Sequence, residues 1–251
     1  MSGEHRPPEL LWLVRHGQST GNVAHAAATE SQSERLQLET RDMDVPLSDL
    51  GREQAAALGR WLSRRGADEL PTVVLASPYL RAQQTARIAL DSCAGAAAGL
   101  TVRSDERLRD RDLGVFDGLT WRGIQAQFPD LAALRSRLGK FYQRPPGGES
   151  WTDVLLRLRS LHETLIHELQ GERVMIFSHD VVVLLFRYLY DDMDERGVLD
   201  LGLTDPVANC SLTSFVSDGE RLRLESYNKV APLAESSTEV TVEEDEDVST
   251  S

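Results

Sequence analysis

Residues 10–17, with the sequence LLWLVRHG, decide the fold of this chain. The apolar run predicts a short buried strand, which would deliver Arg15 and His16 together to its carboxyl end. In open α/β sheets, ligands bind in the crevice at the carboxyl ends of the strands. A guanidinium and an imidazole at that position predict a binding site for a phosphate group.

Three later segments carry similar chemistry after a strand-like run. Arg81 follows the β-branched run 72–76, Asp110 lies in the segment 108–110, and His179 follows the apolar run 173–177. Strand and helix signals alternate along the chain, which favours a largely parallel sheet with helices on both faces. We therefore expect an α/β fold in which these side chains meet at one edge of one sheet.

Three serines are predicted to cap helices. Ser48 begins a helix through about residue 64, and Ser150 with Asp153 forms a near capping box for a helix through about residue 170. Ser77 is predicted to cap a third helix with Pro78 at its first position. The polar residues 21–45 predict a long loop, or a loop with a short helix, and the two strand patterns after residue 210 predict a hairpin.

The chain of 251 residues is predicted to form one domain, residues 1–230, followed by an acidic tail, residues 231–251. The tail contains too few apolar residues to offset the entropy of ordering, so we expect it to be disordered. Its acidic residues up to 247 are Glu235, Glu239, Glu243, Glu244, Asp245, Glu246 and Asp247.

Charge and composition exclude several classes of partner. The formal net charge is −13 and the chain has no lysine- or arginine-rich run, which argues against nucleic acid. The apolar stretch 181–186 is far shorter than the roughly 20 residues of a membrane span. Cys93 and Cys210 do not suggest a disulfide framework or a zinc site, and the polar N-terminus lacks a signal-peptide pattern. We expect a soluble cytoplasmic protein.

The residue types suit phosphate-ester chemistry. A neutral imidazole attacks phosphorus, fixed donors hold the equatorial oxygens, and an acid protonates the leaving oxygen. His16 is the candidate nucleophile, and the planar guanidinium groups of Arg15 and Arg81 match phosphate oxygens. Asn22 adds a neutral donor, and His179 can stabilise the transferred group.

Residues 15–22 (RHGQSTGN), residues 77–86 (SPYLRAQQTA) and Ser178-His179 together resemble the histidine phosphatase superfamily, in its phosphoglycerate-mutase-like branch. The similarity covers about residues 10–228. It implies a three-layer α/β/α sandwich with a mostly parallel sheet. It also implies a phosphohistidine intermediate on His16, a pocket of Arg15, Arg81 and His179, and no metal or other cofactor.

The general acid has more than one candidate. Residues 108–118 (LRDRDLGVFDG) are similar to the family segment that supplies the acid, which implies Asp110 where the family normally has glutamate. His179 is followed by Asp180 where this branch usually has glycine. In the acid phosphatase and phytase branch, a His-Asp pair supplies the proton donor. Asp110 is our first assignment, Asp180 the second, and Glu106 or water the remaining alternative.

Residues 114–157 are also similar to the bisphosphatase half of the bifunctional fructose-2,6-bisphosphate enzyme. Two positions that hold the sugar's second phosphate there are Gly147 and Leu184 here, which disfavours that substrate. Arg144 is retained and is predicted to hold a remote anionic group of the substrate, and Asp180 is also placed in the substrate-binding set.

The sequence therefore predicts a metal-independent histidine phosphatase acting on a small phosphomonoester. One alternative is a phosphoglycerate mutase, although the paired lid arginines of those enzymes are absent between the acid segment and Gly147. The other is a catalytically weak module that binds or responds to a phosphorylated ligand.

Overall fold

A six-stranded sheet forms the centre of the molecule in the computed structural model, which describes residues 6–93 and 99–243. The strand order is β3-β2-β4-β1-β5-β6. The first four of these strands are parallel, and β5 and β6 add an antiparallel hairpin beside β1. The strands in chain order are β1 (Leu10–Arg15), β2 (Val73–Ala76), β3 (Val102–Ser104), β4 (Arg173–Ser178), β5 (Leu212–Ser217) and β6 (Leu222–Lys229).

Helices cover both faces of the sheet. They are α1 (Thr20–Glu30), α2 (Asp49–Leu62), α3 (Leu80–Asp91), α4 (Trp121–Gln127), α5 (Pro129–Leu138), α6 (Trp151–Glu168), α7 (Asp180–Tyr190), α8 (Glu195–Thr204) and α9 (Ala231–Ala234). Within the described ranges, no helix has both the length and the apolar character needed to cross a bilayer.

Alternating side chains of β1 belong to two separate cores. Leu11 and Leu13 pack with α6 and α7 on one face, whereas Trp12 and Val14 pack with α2 and α3 on the other. This alternation follows from the two-residue period of a strand. The three-layer α/β/α sandwich with a mostly parallel sheet is therefore confirmed.

Two of the three predicted serine caps are confirmed. The Ser48 hydroxyl accepts a hydrogen bond from the Gly51 amide (3.0 Å), and Ser150 and Asp153 form a reciprocal capping box. The Ser77 cap is wrong, because α3 begins at Leu80 and its N-cap residue is Tyr79. Ser77 Oγ lies 2.9 Å from the Nε2 atom of His179, a tertiary partner that the local sequence does not reveal.

The part of the chain from residue 231 to residue 243 differs from the predicted disorder. It begins with α9, whose Leu233 is buried against Ala55 and Ala57 of α2. One buried leucine, together with backbone hydrogen bonds such as that from the Thr238 amide to the Leu233 carbonyl (3.0 Å), anchors a segment that is polar by composition. The rest of the predicted tail, residues 244–251, lies outside the described residues.

Candidate active site

Three neighbouring strand ends bring the site together. The sheet pairing of β1, β4 and β2 continues one residue past their ends, because the His16 amide donates to the Ser178 carbonyl (2.9 Å) and the Ser77 amide donates to the Phe177 carbonyl (2.9 Å). His16 and His179 therefore emerge side by side, with ring centroids 5.3 Å apart. Both imidazoles are buried.

The tautomer of His16 is fixed by its own loop. Its Nδ1 atom lies 2.8 Å from the Gly17 carbonyl oxygen. Because a carbonyl can only accept, Nδ1 carries the proton and Nε2 keeps its lone pair. Burial, followed by the charges of Arg81, His179 and Arg15, lowers the pKa of His16 well below its ordinary value. The ring is therefore neutral at pH 7, as a nucleophile must be.

Arg15 is buried and is held at both ends of its guanidinium. Nη1 donates to the Val207 carbonyl (2.6 Å), and Nη2 donates to the Glu243 carboxylate (2.8 Å). The Nε atom has no hydrogen-bond partner in the part of the chain that the structure describes. Asn22 Nδ2 donates to the same Glu243 oxygen at 2.6 Å. One carboxylate thus accepts hydrogen bonds from two of the side chains that are predicted to bind the phosphate group.

Arg81 lies in the first turn of α3, as predicted, and binds two carboxylates. Nη1 donates to Asp42 Oδ1 (2.9 Å), and Nη2 donates to Asp110 Oδ2 (2.8 Å). Burial acts to lower the pKa of Arg81, but Asp110 and Asp42 outweigh burial and raise it. Arg81 therefore stays charged, and its charge is balanced by acids from within the domain.

Asp110 lies between Arg81 and His179. Its Oδ2 atom is 3.0 Å from His179 Nδ1, and its Oδ1 atom accepts from the Arg111 amide (2.8 Å). Burial acts to raise the pKa of Asp110, but His179 and Arg81 hold it well below its ordinary value. Burial lowers the pKa of His179 despite the neighbouring carboxylate. Asp110 is therefore ionised.

A partly buried ion-pair network holds the loop that carries Asp110. Glu149 accepts from Arg109 Nη2 (2.6 Å) and Arg157 Nε (3.1 Å). Arg157 also donates to the carbonyl oxygens of Arg107 (2.6 Å) and Asp110 (3.1 Å). Glu149 and Arg157 are therefore positioning residues for Asp110.

The backbone around His16 is held by residues to which the sequence analysis assigned no role. Asn209 Nδ2 donates to the His16 carbonyl (3.1 Å), and the Cys210 amide donates to the Arg15 carbonyl (3.1 Å). Cys210 has φ of 54°, in the left-handed region that a non-glycine residue rarely adopts. Thr85 Oγ1 accepts from the Gly17 amide (3.0 Å). Of these residues, only Thr85 lies in a motif used above.

Two glycines allow the loop after His16 to contact the start of α2. A Cβ atom on Gly17 would lie 2.5 Å from the Gly51 carbonyl oxygen, and one on Gly51 would lie 2.0 Å from the Gln18 carbonyl oxygen. Both distances are far inside van der Waals contact, so no side chain fits at either position.

The structure brings together Arg15, His16, Asn22, Arg81, Asp110 and His179, and places the other candidates differently. Arg144 lies outside this cluster, where its exposed guanidinium binds Asp153 at the start of α6. Asp180 is the half-buried first residue of α7, and its charge acts on Lys140. Glu106 is exposed.

In residues 6–93 and 99–243, no group of three or more His, Cys, Asp or Glu side chains is arranged to hold a metal ion. The expectation of metal-free chemistry stays a prediction.

Residues 11–230 match the family model of the histidine phosphatase superfamily, branch 1. The match spans every strand of the sheet apart from Leu10 and all the residues of the cluster described above. The chain therefore belongs to the histidine phosphatase superfamily, as its motifs predict.

Individual relatives point to phosphatases and mutases. A mycobacterial glucosyl-3-phosphoglycerate phosphatase, solved with VO3, shares 30% identity and a TM-score of 0.65, covering 88% of this chain and 99% of its own. A bifunctional protein of Mycobacterium tuberculosis is 30% identical over 218 residues, 87% of this chain and 53% of that protein. A probable phosphoglycerate mutase of Yersinia pestis is 28% identical over 175 residues, 69% of this chain and 70% of that protein. The chain thus spans about half the length of the first curated relatives that it matches.

Proposed function

We propose that this chain is a metal-independent phosphatase that hydrolyses a small phosphomonoester through a phosphohistidine on His16. The observation that carries the proposal is the hydrogen bond from His16 Nδ1 to the Gly17 carbonyl, which leaves Nε2 of a neutral ring available for attack. The 30% identity to the glucosyl-3-phosphoglycerate phosphatase over nearly its whole length supports the same reaction class.

In the first step, the phosphoryl group of the substrate binds to Arg15, Arg81 and Asn22. Nε2 of His16 attacks phosphorus, so that the N–P bond forms as the P–O bond to the leaving group breaks. The leaving oxygen takes a proton from Asp110. His179, beside His16, stabilises the charge on the transferred group.

Asp110 must gain a proton before it can act as the acid. The carboxylate is ionised while it binds Arg81 and faces His179. A phosphate dianion at Arg81 competes for the guanidinium and adds a negative charge nearby, and both effects raise the pKa of Asp110. Substrate binding is therefore coupled to proton uptake by the acid.

In the second step, the Asp110 carboxylate takes a proton from water. The oxygen of this water attacks phosphorus, the N–P bond breaks, and inorganic phosphate leaves with His16 neutral again. A mutase would instead return the phosphoryl group to a second hydroxyl of the bound molecule. Similarity to the Yersinia mutase keeps that reaction as the second candidate.

A group of basic side chains around Arg111, the residue that follows Asp110, favours a substrate with a second anionic group. Burial first, and then the charge of Arg135, lower the pKa of Lys140 to about 7. Arg111, adjacent to Asp110, adds to this effect, and burial lowers its own pKa to about 10. An anionic group of the ligand would stabilise the positive charge on these side chains.

The test is a phosphatase screen in the presence of a chelator, with glucosyl-3-phosphoglycerate, 3-phosphoglycerate, sugar phosphates and p-nitrophenyl phosphate. We expect release of inorganic phosphate and an acid-labile, base-stable label on the protein. His16→Ala abolishes both. The matched control is His162→Ala, which removes a half-buried histidine that contacts Tyr190. Phosphoryl transfer within 3-phosphoglycerate without phosphate release would favour the mutase instead.

A further inference from the structure

The C-terminal segment, which we define as residues 239–243, ends with a side chain that binds two of the candidate phosphate-binding residues. Glu243 Oε2 accepts from Arg15 Nη2 (2.8 Å) and from Asn22 Nδ2 (2.6 Å). The other carboxylate oxygen lies 3.6 Å from His25 Nδ1. The Glu243 carboxylate thus occupies the position and binds the hydrogen-bond donors that we expect for two oxygens of a phosphoryl group.

Thr241 anchors this segment to the domain. Its hydroxyl donates to Asn209 Oδ1 (2.8 Å), and its carbonyl accepts from the Asn209 amide (2.9 Å). Gln54 Nε2 donates to the Glu239 carbonyl (3.0 Å) and to Thr241 Oγ1 (3.0 Å). Gln54 and Asn209 are buried residues of the domain, so the segment has a defined binding place rather than a random contact.

Upstream, the segment is tethered by a buried contact. Leu233 of α9 is fully buried against α2, only ten positions before Glu243. A short tether gives the carboxylate a high effective concentration at Arg15. The Glu243 side chain nevertheless keeps 32% of its surface exposed, and the anchors between 239 and 243 are hydrogen bonds without a buried apolar side chain. The contact can therefore open without unfolding the domain.

We infer that Glu243 is a tethered competitor for the phosphate group: the chain closes its own site with a carboxylate, and a phosphorylated ligand binds when the segment 239–243 releases. This inference rests on the proposed function for its kinetic consequence, but not for its effect on binding. The side chain of Asn209 binds both the Thr241 hydroxyl and the His16 carbonyl, so the same residue positions the segment and the backbone of His16.

Competition of this kind has a defined signature. The apparent affinity for a phosphate ligand is lowered by the fraction of molecules that are open, whereas the rate of the fully loaded enzyme is unchanged. Removing the charge of Glu243 should therefore lower KM and the dissociation constant for inorganic phosphate together, and leave kcat near its starting value.

The experiment compares Glu243→Gln with Glu239→Gln in the full chain. The second variant removes one charge from the same segment, but among the described residues only the backbone carbonyl of the exposed Glu239 accepts a hydrogen bond. The dissociation constant of inorganic phosphate is measured by calorimetry, and kcat and KM with p-nitrophenyl phosphate. We expect Glu243→Gln to tighten phosphate binding and lower KM by about 3- to 30-fold. Glu239→Gln should change neither. Thr241→Val removes the hydroxyl that anchors the segment and keeps the Glu243 carboxylate. It should lower the dissociation constant of phosphate and the KM, but by less than Glu243→Gln does.

Unchanged phosphate binding in Glu243→Gln, or an equal change in Glu239→Gln, would overturn the inference even if the protein hydrolyses phosphate esters. Tighter phosphate binding in Glu243→Gln without hydrolysis of any ester would support the inference and contradict the proposed function.

Discussion

The two arginines of the candidate site differ in where their anionic partners come from. Arg81 binds Asp42 and Asp110, which belong to the domain. Arg15 binds Glu243, which belongs to the C-terminal segment 239–243. Both guanidinium groups are almost fully buried, so each needs a compensating anion in the absence of a ligand.

The Arg81 contact includes a group with a role in the proposed reaction, whereas the Arg15 contact can be removed without changing that reaction. The Arg81 partners include the candidate acid, so changes at Arg81 alter the chemistry as well as binding. The Arg15 partner takes no part in the proposed reaction, so its removal alters binding alone. We therefore expect changes on the Arg81 side to alter the reaction, and changes on the Arg15 side to depend on the position of the C-terminal segment.

The largest effect is expected from Asp110→Asn, on the Arg81 side. The amide cannot donate the proton that a poor leaving group needs, so kcat for an alkyl phosphate should fall by about 10²–10⁴-fold. The loss should be smaller for p-nitrophenyl phosphate, whose leaving group departs without protonation. Single-turnover measurements with both esters test this. A greater loss in Asp180→Asn would assign the acid to Asp180.

The next effect concerns the arginines themselves. Lysine lacks the planar fork, so Arg15→Lys and Arg81→Lys should each lower kcat/KM by about 10- to 100-fold. Their combination with Glu243→Gln distinguishes the two sides. The gain from Glu243→Gln should persist in Arg81→Lys and largely disappear in Arg15→Lys, since Arg15 donates to the Glu243 carboxylate whereas Arg81 binds Asp42 and Asp110. If Glu243→Gln were coupled equally to Arg15→Lys and Arg81→Lys, the two arginines would not differ in the way proposed.

A third prediction concerns the pH dependence of stability. Burial and the flanking arginines lower the pKa of His16 in the folded state, and burial also lowers that of His179. As the pH falls below about 6.5, the unfolded chain binds protons that the folded chain does not, so the free energy of unfolding decreases by up to about 1.4 kcal/mol per pH unit for each histidine. The full contribution is retained above that pH.

Chemical denaturation between pH 7 and pH 5 measures this slope. His16→Asn should make it shallower, whereas the exposed His167→Asn should not. An unchanged slope in His16→Asn would mean that the arginines and burial do not hold the ring neutral.

The smallest effect is expected from Lys140→Met, which keeps the length of the side chain and removes its charge. KM should rise several-fold for a substrate with a second anionic group and stay constant for p-nitrophenyl phosphate. A parallel rise for both would indicate that Lys140 supports the fold of the site instead of recognising the ligand.

The sequence predicted much of the fold because strand ends carry strong local signals. The apolar run before Arg15 and the one before Ser178 specify buried strands, and parallel strands place their carboxyl ends at one edge. Arg15, His16 and His179 could therefore be located without a structure. The N-caps Ser48 and Ser150 are equally local, because each binds an amide only three residues ahead.

The remaining contacts depend on residues that are distant in sequence. Ser77 has the pattern of a helix cap, but its side chain binds His179, about one hundred positions later. Asp42, Asn209 and Glu243 reach the site from segments with no catalytic motif. Composition predicted disorder after residue 230 because an average over the tail hides one well-placed leucine, Leu233.

The close approach of Gly17 and Gly51 limits which variants of this chain can be made. The backbone of the loop after His16 lies directly against the first turn of α2, which leaves no room for a side chain between them. A saturation library at these two glycines should return almost only the parent residue.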